Sequence, residues 1–172
     1  FLVADCNIPE DCLAWVSHFA AREGKRLLIE PVSVPKSAKL KHIDKLKTFA
    51  ITPNRDQAEA LSGTRDWAEA SLAIHGLGVD NIVIHAGTEG AYVSRQGGAP
   101  LHVPAGATRE VRDVTGAGDA AVAGLVWGLV SGYDIVEAAR FGQWAAALKV
   151  QSMQSVAEVL TREALLSMGA GN

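Results

Sequence analysis

The 172-residue chain is poor in residues that build metal and disulfide frameworks. Its two cysteines, Cys6 and Cys12, lie near one expected strand–helix junction and form no metal-ligand pattern. Reduced thiols in a cytoplasmic protein are the expectation. His18, His42, His75, His85 and His102 are scattered without ligand spacing. No stripe of Lys or Arg stands out and the formal charge is −3, which argues against a nucleic-acid-binding surface. The Lys-rich stretch from Lys36 to Lys47 is broken by apolar residues and reads as a solvated helix face. No apolar run reaches the length of a membrane span, because Gly124, Gly128 and the polar segment 131–134 interrupt the best candidate. No stretch reads as a signal peptide. Trp15, Trp67, Trp127 and Trp144 are expected in core or interface positions rather than as platforms for stacking bases.

What is present is a core. Hydrophobic residues make up 48% of the chain, too many for disorder, and the length fits one domain. Short apolar runs at 1–4, 26–30, 49–52 and 81–85 read as strands. Helical patterns fall between them at 9–23, 54–61 and 67–77, with Asn54 as a cap and glycines at Gly24, Gly63 and Gly78 as stops. The segment 37–46 reads as helical or irregular. Glycines at Gly87, Gly90, Gly97 and Gly98 punctuate two short strands near 91–94 and 101–103, expected as an antiparallel hairpin. Apolar helices at 117–131 and 135–150 and a short helix at 161–168 complete the chain. Repeated strand–helix units with fully apolar strands predict an α/β fold with a parallel sheet. Ligands of such sheets bind at the carboxyl ends of the strands.

The segment with most chemical content is Asp113-Val114-Thr115-Gly116-Ala117-Gly118-Asp119. A glycine-rich turn opens a helix that is apolar nearly all round and is expected to be buried. Backbone N–H groups at such a terminus, with the helix dipole, form a site for an anion such as phosphate. A carboxylate there, Asp119, suits the removal of a proton from a hydroxyl that attacks a phosphoryl group. Taken alone, Asp119 would equally serve the helix dipole, and the glycines a tight turn.

This segment, with Ala123-Gly124-Leu125-Val126 after it, resembles the C-terminal signature of the ribokinase-like (PfkB) carbohydrate kinases. Pro53-Asn54-Arg55, the loop 84–91 and the helix 140–150 agree in order. Ala4-Asp5-Cys6-Asn7-Ile8, Glu30-Pro31-Val32-Ser33 with Lys36, and Leu61-Ser62-Gly63 resemble the pseudouridine-kinase branch. The resemblance implies a three-layer α/β/α ribokinase-like fold with a mostly parallel sheet. Residues 1–172 would be a single C-terminal, ATP-binding and catalytic portion, with the N-terminal half and lid missing. The start at Phe1, inside an apolar run, agrees with that expectation.

The implied activity is ATP-dependent phosphorylation of a nucleoside 5′-hydroxyl, with pseudouridine as substrate and Mg2+ as cofactor. Ribose or another sugar or nucleoside, or a non-catalytic nucleotide-binding role, are the alternatives. Asp119 would be the catalytic base and Gly116, Ala117 and Gly118 the anion hole. Asn54 would help place Mg-bound phosphates, or simply cap its helix. Gly87, Thr88 and Gly90 would lie against ATP, and Gln143 near adenine. Asn7 would touch substrate. Asp113 and Thr115 match positions near a monovalent-cation site, completed by the loop at about 150–155, where K+ would bind, or equally serve as a cap and turn. One departure stands out: the family's Asn-x-x-Glu has Gln57 at the Glu position, which weakens the attraction for Mg2+. An uncovered sheet edge predicts self-association into a homo-oligomer.

Overall fold

The computed structural model describes residues 1–154 and 156–169. Ser155, in the loop expected to complete a cation site, lies outside the described residues. The strands are β1 (Leu2–Asp5), β2 (Leu27–Glu30), β3 (Thr48–Ile51), β4 (Val79–His85), β5 (Ala91–Arg95) and β6 (Leu101–Val103). The α-helices are α1 (Glu10–Arg22), α2 (Val34–Ser37), α3 (Arg55–Ser62), α4 (Trp67–Gly76), α5 (Ala117–Val130), α6 (Ile135–Lys149) and α7 (Arg162–Gly169). The sheet runs in the order β1-β2-β3-β4-β5-β6, and β1 to β4 are parallel. The α/β class and the mostly parallel sheet follow the sequence pattern.

The chain folds into two compact units: Phe1–Ala86 with Tyr92–Leu101, and Gly87–Ala91 with the residues from His102 on. In the first unit, Leu27, Leu28 and Ile29 are at most 1% exposed, so both faces of β2 are covered, as an uninterrupted apolar strand requires. Leu27, Ile29, Ile51, Ile82 and Ile84 share one cluster with Leu13, Leu40, Leu61 and Ile74 from the helical segments. Each such side chain contributes about 1.5–3 kcal/mol on burial. Register pairs Asp5 with Glu30, and Ile29 with Ile51, and a parallel bridge joins Asn54 to His85. The carboxyl ends of β1 to β4 therefore line one edge of this unit.

The stretch 36–47 departs from a plain solvated face. After α2 it tightens into a 3-10 turn at Ala38–Lys41, and two of its lysines turn inward. Lys39 Nζ donates to the carbonyls of Cys6 and Ile8, each at 3.0 Å, and Lys36 Nζ donates to Asn7 Oδ1. The β1–α1 loop presents unpaired carbonyls there, and a lysine satisfies them.

In the second unit, α5 and α6 touch backbone to backbone. A Cβ on Gly124 would stand 2.5 Å from the Phe141 carbonyl oxygen, and one on Gly142 would stand 2.7 Å from that of Ala121. Phe141 meets Trp127 and Trp144 edge-on, at centroid distances of 4.8 and 5.0 Å. Trp67 stacks on Tyr92 in the first unit. Trp15 is 63% exposed and stacks on Phe19. Helix α5 is buried along one side, at Ala120, Ala121, Gly124, Leu125, Gly128 and Leu129, while Gly118, Asp119, Ala123 and Val130 are exposed. Among the described residues no helix is long and apolar enough to cross a membrane.

Candidate active site

The site residues of the second unit begin at Asp113. Its Oδ1 accepts from the Thr115 N–H at 2.9 Å, closing an Asx turn. That N–H, chiefly, and Lys149 beside it hold the Asp113 carboxyl below the usual carboxylate range. Ala117 N–H donates to the Val114 carbonyl at 3.1 Å, and Ala120 N–H to that of Gly116 at 2.9 Å. Gly116, the residue before α5, has φ 79°, a conformation that glycine adopts without strain.

Of the amides expected to form an anion hole, Ala117's is thus turned into the chain's own turn. Among the described residues the N–H groups of Gly118 and Asp119 donate to no protein acceptor. Both residues are exposed in the first turn of the 14-residue α5, and the Asp119 carboxylate stands with them. Gly118 has neither a positive φ nor a neighbour: a Cβ placed there meets nothing within 4 Å. Among the described residues nothing requires a glycine at this position. Free amides at the positive end of a helix, beside an exposed carboxylate, can hold an anion and accept a proton within one turn of chain.

The loop after β4 forms a 3-10 turn at Gly87–Glu89. Gly87 and Thr88 are exposed. Gly90 is buried, and a Cβ on it would fall 2.1 Å from the Val103 carbonyl oxygen, so close packing alone demands glycine there. Gln143 is 5% exposed on α6.

The remaining expected site residues fall in the first unit, at the carboxyl edge of the sheet. Asn7 N–H donates to Asp5 Oδ1 at 2.8 Å while its own Oδ1 accepts from Lys36. Glu30 Oε2 accepts from the Thr52 hydroxyl, and its Oε1 accepts from the Val32 N–H at 3.2 Å. Asp5, Asn7, Glu30, Lys36 and Thr52 thus form a polar group at the ends of β1, β2 and β3. Glu30 and Thr52 carried no role in the sequence reading, and the strand-end position was the signal available.

Asn54 caps α3. Its Oδ1 accepts from Gln57 N–H at 2.9 Å, and Gln57 Oε1 accepts from Asn54 N–H at 2.8 Å, a complete capping box. Gln57 is 3% exposed and its oxygen is committed to that box. Asp56 and Glu59 both pair with Arg65, at 3.0 and 2.7 Å. The α3 carboxylates thus sit in exposed ion pairs with Arg65, and the residue at the family's Glu position is a capping amide rather than a carboxylate. Among the described residues no group of three or more His, Cys, Asp or Glu could hold a metal ion.

Residues 3–162 match the profile described as pfkB family carbohydrate kinase. The chain is 36% identical over 158 residues to a pseudouridine kinase of Escherichia coli K12, covering 86% of this chain and 47% of that protein. It is 31% identical over 172 residues to a ribokinase of Haemophilus influenzae, covering 96% of this chain and 54% of that protein. A solved carbohydrate kinase from Agrobacterium tumefaciens superposes with a TM-score of 0.78 at 32% identity, over 98% of this chain and 53% of that one. The chain spans about half the length of the curated relatives it matches.

Proposed function

Because the chain belongs to the pfkB family of carbohydrate kinases, we propose that it is the nucleotide-binding and catalytic part of an ATP-dependent kinase. Its acceptor is the 5′-hydroxyl of a nucleoside, pseudouridine. The choice of nucleoside is supported by the 36%-identical pseudouridine kinase; the 31%-identical ribokinase supports ribose as the second candidate. The observation that carries the reading is the turn at 116–119. Among the described residues it combines two unengaged amides, an exposed carboxylate, and a glycine, Gly118, that no neighbouring atom or backbone angle requires.

In this reading the Asp119 carboxylate takes the proton from the attacking hydroxyl. The Gly118 and Asp119 amides, with Gly116 shaping the turn, stabilise charge that builds on the transferred phosphoryl group. The α5–α6 contact keeps these donors in place before the reaction begins, so little reorganisation is needed. Gly87 and Thr88, on an exposed turn, and Asn54, on the strand-end edge, are the proposed nucleotide contacts. Asn7, tied to Asp5 and Lys36, is the proposed substrate contact, and Gln143 the proposed adenine neighbour. When bound with the nucleotide, Mg2+ would neutralise phosphate charge; at the family's Glu position α3 offers it the Gln57 amide, not a carboxylate. A cytoplasmic, self-associating protein belongs to the same proposal.

The commitments of Gln57, Asp56 and Glu59 favour one second reading, a nucleotide-binding portion without turnover of its own. ADP release with Mg·ATP and pseudouridine, or ribose, separates the two. Turnover that falls by about 10²–10⁴-fold in Asp119→Asn, with nucleotide affinity retained, is the expected result. Equal turnover in both proteins would remove Asp119 as the base. ATP binding without ADP release would favour the second reading.

A further inference from the structure

Lys149 ends α6, where a lysine ordinarily extends into water and meets the helix dipole from outside. Here the side chain is 1% exposed. Its Nζ donates to the carbonyl oxygens of Asp113, at 3.3 Å, and Ser152, at 3.2 Å, and lies 3.7 Å from Asp113 Oδ2. The two loops that supply these oxygens are stitched together. Arg112 and Asp113 both donate N–H to the Val150 carbonyl, at 2.7 and 3.2 Å, and Ser152 N–H donates to that of Lys149 at 2.9 Å. A buried ammonium is costly unless oxygens replace its water, and here two main-chain carbonyls and a carboxylate do so.

Main-chain carbonyls converging on one positive charge are also the donor set of a potassium site. The family resemblance places such a site at Asp113, Thr115 and the loop after α6. The residues present do not fit an added ion. The Asp113 carbonyl is engaged by the ammonium, Asp113 Oδ1 is engaged by Thr115 N–H, and a second cation would meet the Lys149 charge. We propose that the Lys149 ammonium is the built-in cation of these two loops, standing in place of an exchangeable K+, so that the chain neither binds nor requires potassium. Joined to the segment that leads into the 116–119 turn, the ammonium would fix that turn without help from the medium. Potassium-independent turnover rests on the kinase reading above; the ion-binding statement does not.

The test is thermal unfolding of the 172-residue chain in KCl and in choline chloride at equal ionic strength. The unsubstituted protein is expected to melt at the same temperature in both. Lys149→Met keeps most of the stem and removes the charge. It is expected to melt lower in choline and to regain stability in KCl or NH4Cl, and not in LiCl. A K+-dependent midpoint in the unsubstituted protein would overturn the proposal, as would a Lys149→Met protein indifferent to K+. Should Lys149→Met fail to fold, titration calorimetry of the unsubstituted chain with KCl decides: no binding heat supports the proposal, and saturable binding refutes it. Absence of turnover in every salt would count against the kinase reading and leave the melting result to stand.

Discussion

Gly118→Ala separates what the fold needs from what a ligand needs. Gly118 lies in the first turn of α5, has no positive φ, and has open space where a Cβ would go. Alanine in place of glycine at a compatible helical position stabilises a protein by about 0.4–1 kcal/mol, largely by restricting the unfolded chain. For a chain of this size that is a rise of about 1–4 °C in melting temperature. The same methyl group would stand beside the open amides, where the proposal puts a phosphoryl group. Nucleotide affinity or turnover is therefore expected to fall about tenfold or more, equivalent to about 1.4 kcal/mol. Melting curves and titration calorimetry with ATP, run on the same preparations, read both quantities. Gly142→Ala is the control. Its Cβ would lie 2.7 Å from the Ala121 carbonyl oxygen, and overpacking of this kind costs about 1–3 kcal/mol, so its melting temperature should fall. If Gly118→Ala is destabilised like the control, the glycine belongs to the fold. If it is stabilised and binds ATP as before, the anion-hole argument fails.

Two further outcomes follow from buried groups. Burial pushes the Cys6 thiol up to about 12, while Cys12 is exposed, so the native protein should consume one equivalent of a thiol reagent at pH 8 and a second only on unfolding; two rapid equivalents would contradict the placement of Cys6. Burial also pushes His85 down from 6.5 to about 4. Between these values the unfolded chain binds a proton that the folded chain does not, so this stabilising contribution is complete above pH 6.5 and declines toward pH 4, by at most about 3 kcal/mol. Urea unfolding across that range should show a shallower pH slope for His85→Gln; an unchanged slope would remove His85 from the account.

Much of the fold was legible because its signals are local. Three consecutive apolar residues at 27–29 mark a strand covered on both faces. Asn54 followed three residues later by Gln57 marks a helix start, and Gly63 its stop in the left-handed conformation. The same box explains why the Gln57 departure is quiet structurally: an amide oxygen accepts the Asn54 N–H as a carboxylate would, so the fold does not register the missing charge. What could not be read depends on long-range placement. Lys39 and Lys36 look like members of a solvated stretch until the β1–α1 loop is brought against them. Lys149, at a helix end, looks like a dipole partner until the loops at 113 and 152 close over it. That Asp56 and Glu59 share one partner shows only when the loop after α3 brings Arg65 onto both.

The glycines around α5 show the same limit within a single residue type. Gly116 answers to backbone conformation, since its φ is 79° and a Cβ there would strain the turn. Gly124 answers to packing, since α6 passes so close that its would-be Cβ lies 2.5 Å from a carbonyl oxygen. Gly118 answers to neither. Spacing along the chain cannot tell these apart, because each is simply a glycine in or beside one apolar helix. The structure separates them, and under the proposed function Gly118 is the one with a direct bearing on chemistry. The first two causes serve the third. In the proposed function, a turn shaped at Gly116 and a helix pressed against its neighbour at Gly124 keep the 118 and 119 amides in place for the phosphoryl group. Stabilisation of a developing negative charge depends on donors that are already in position.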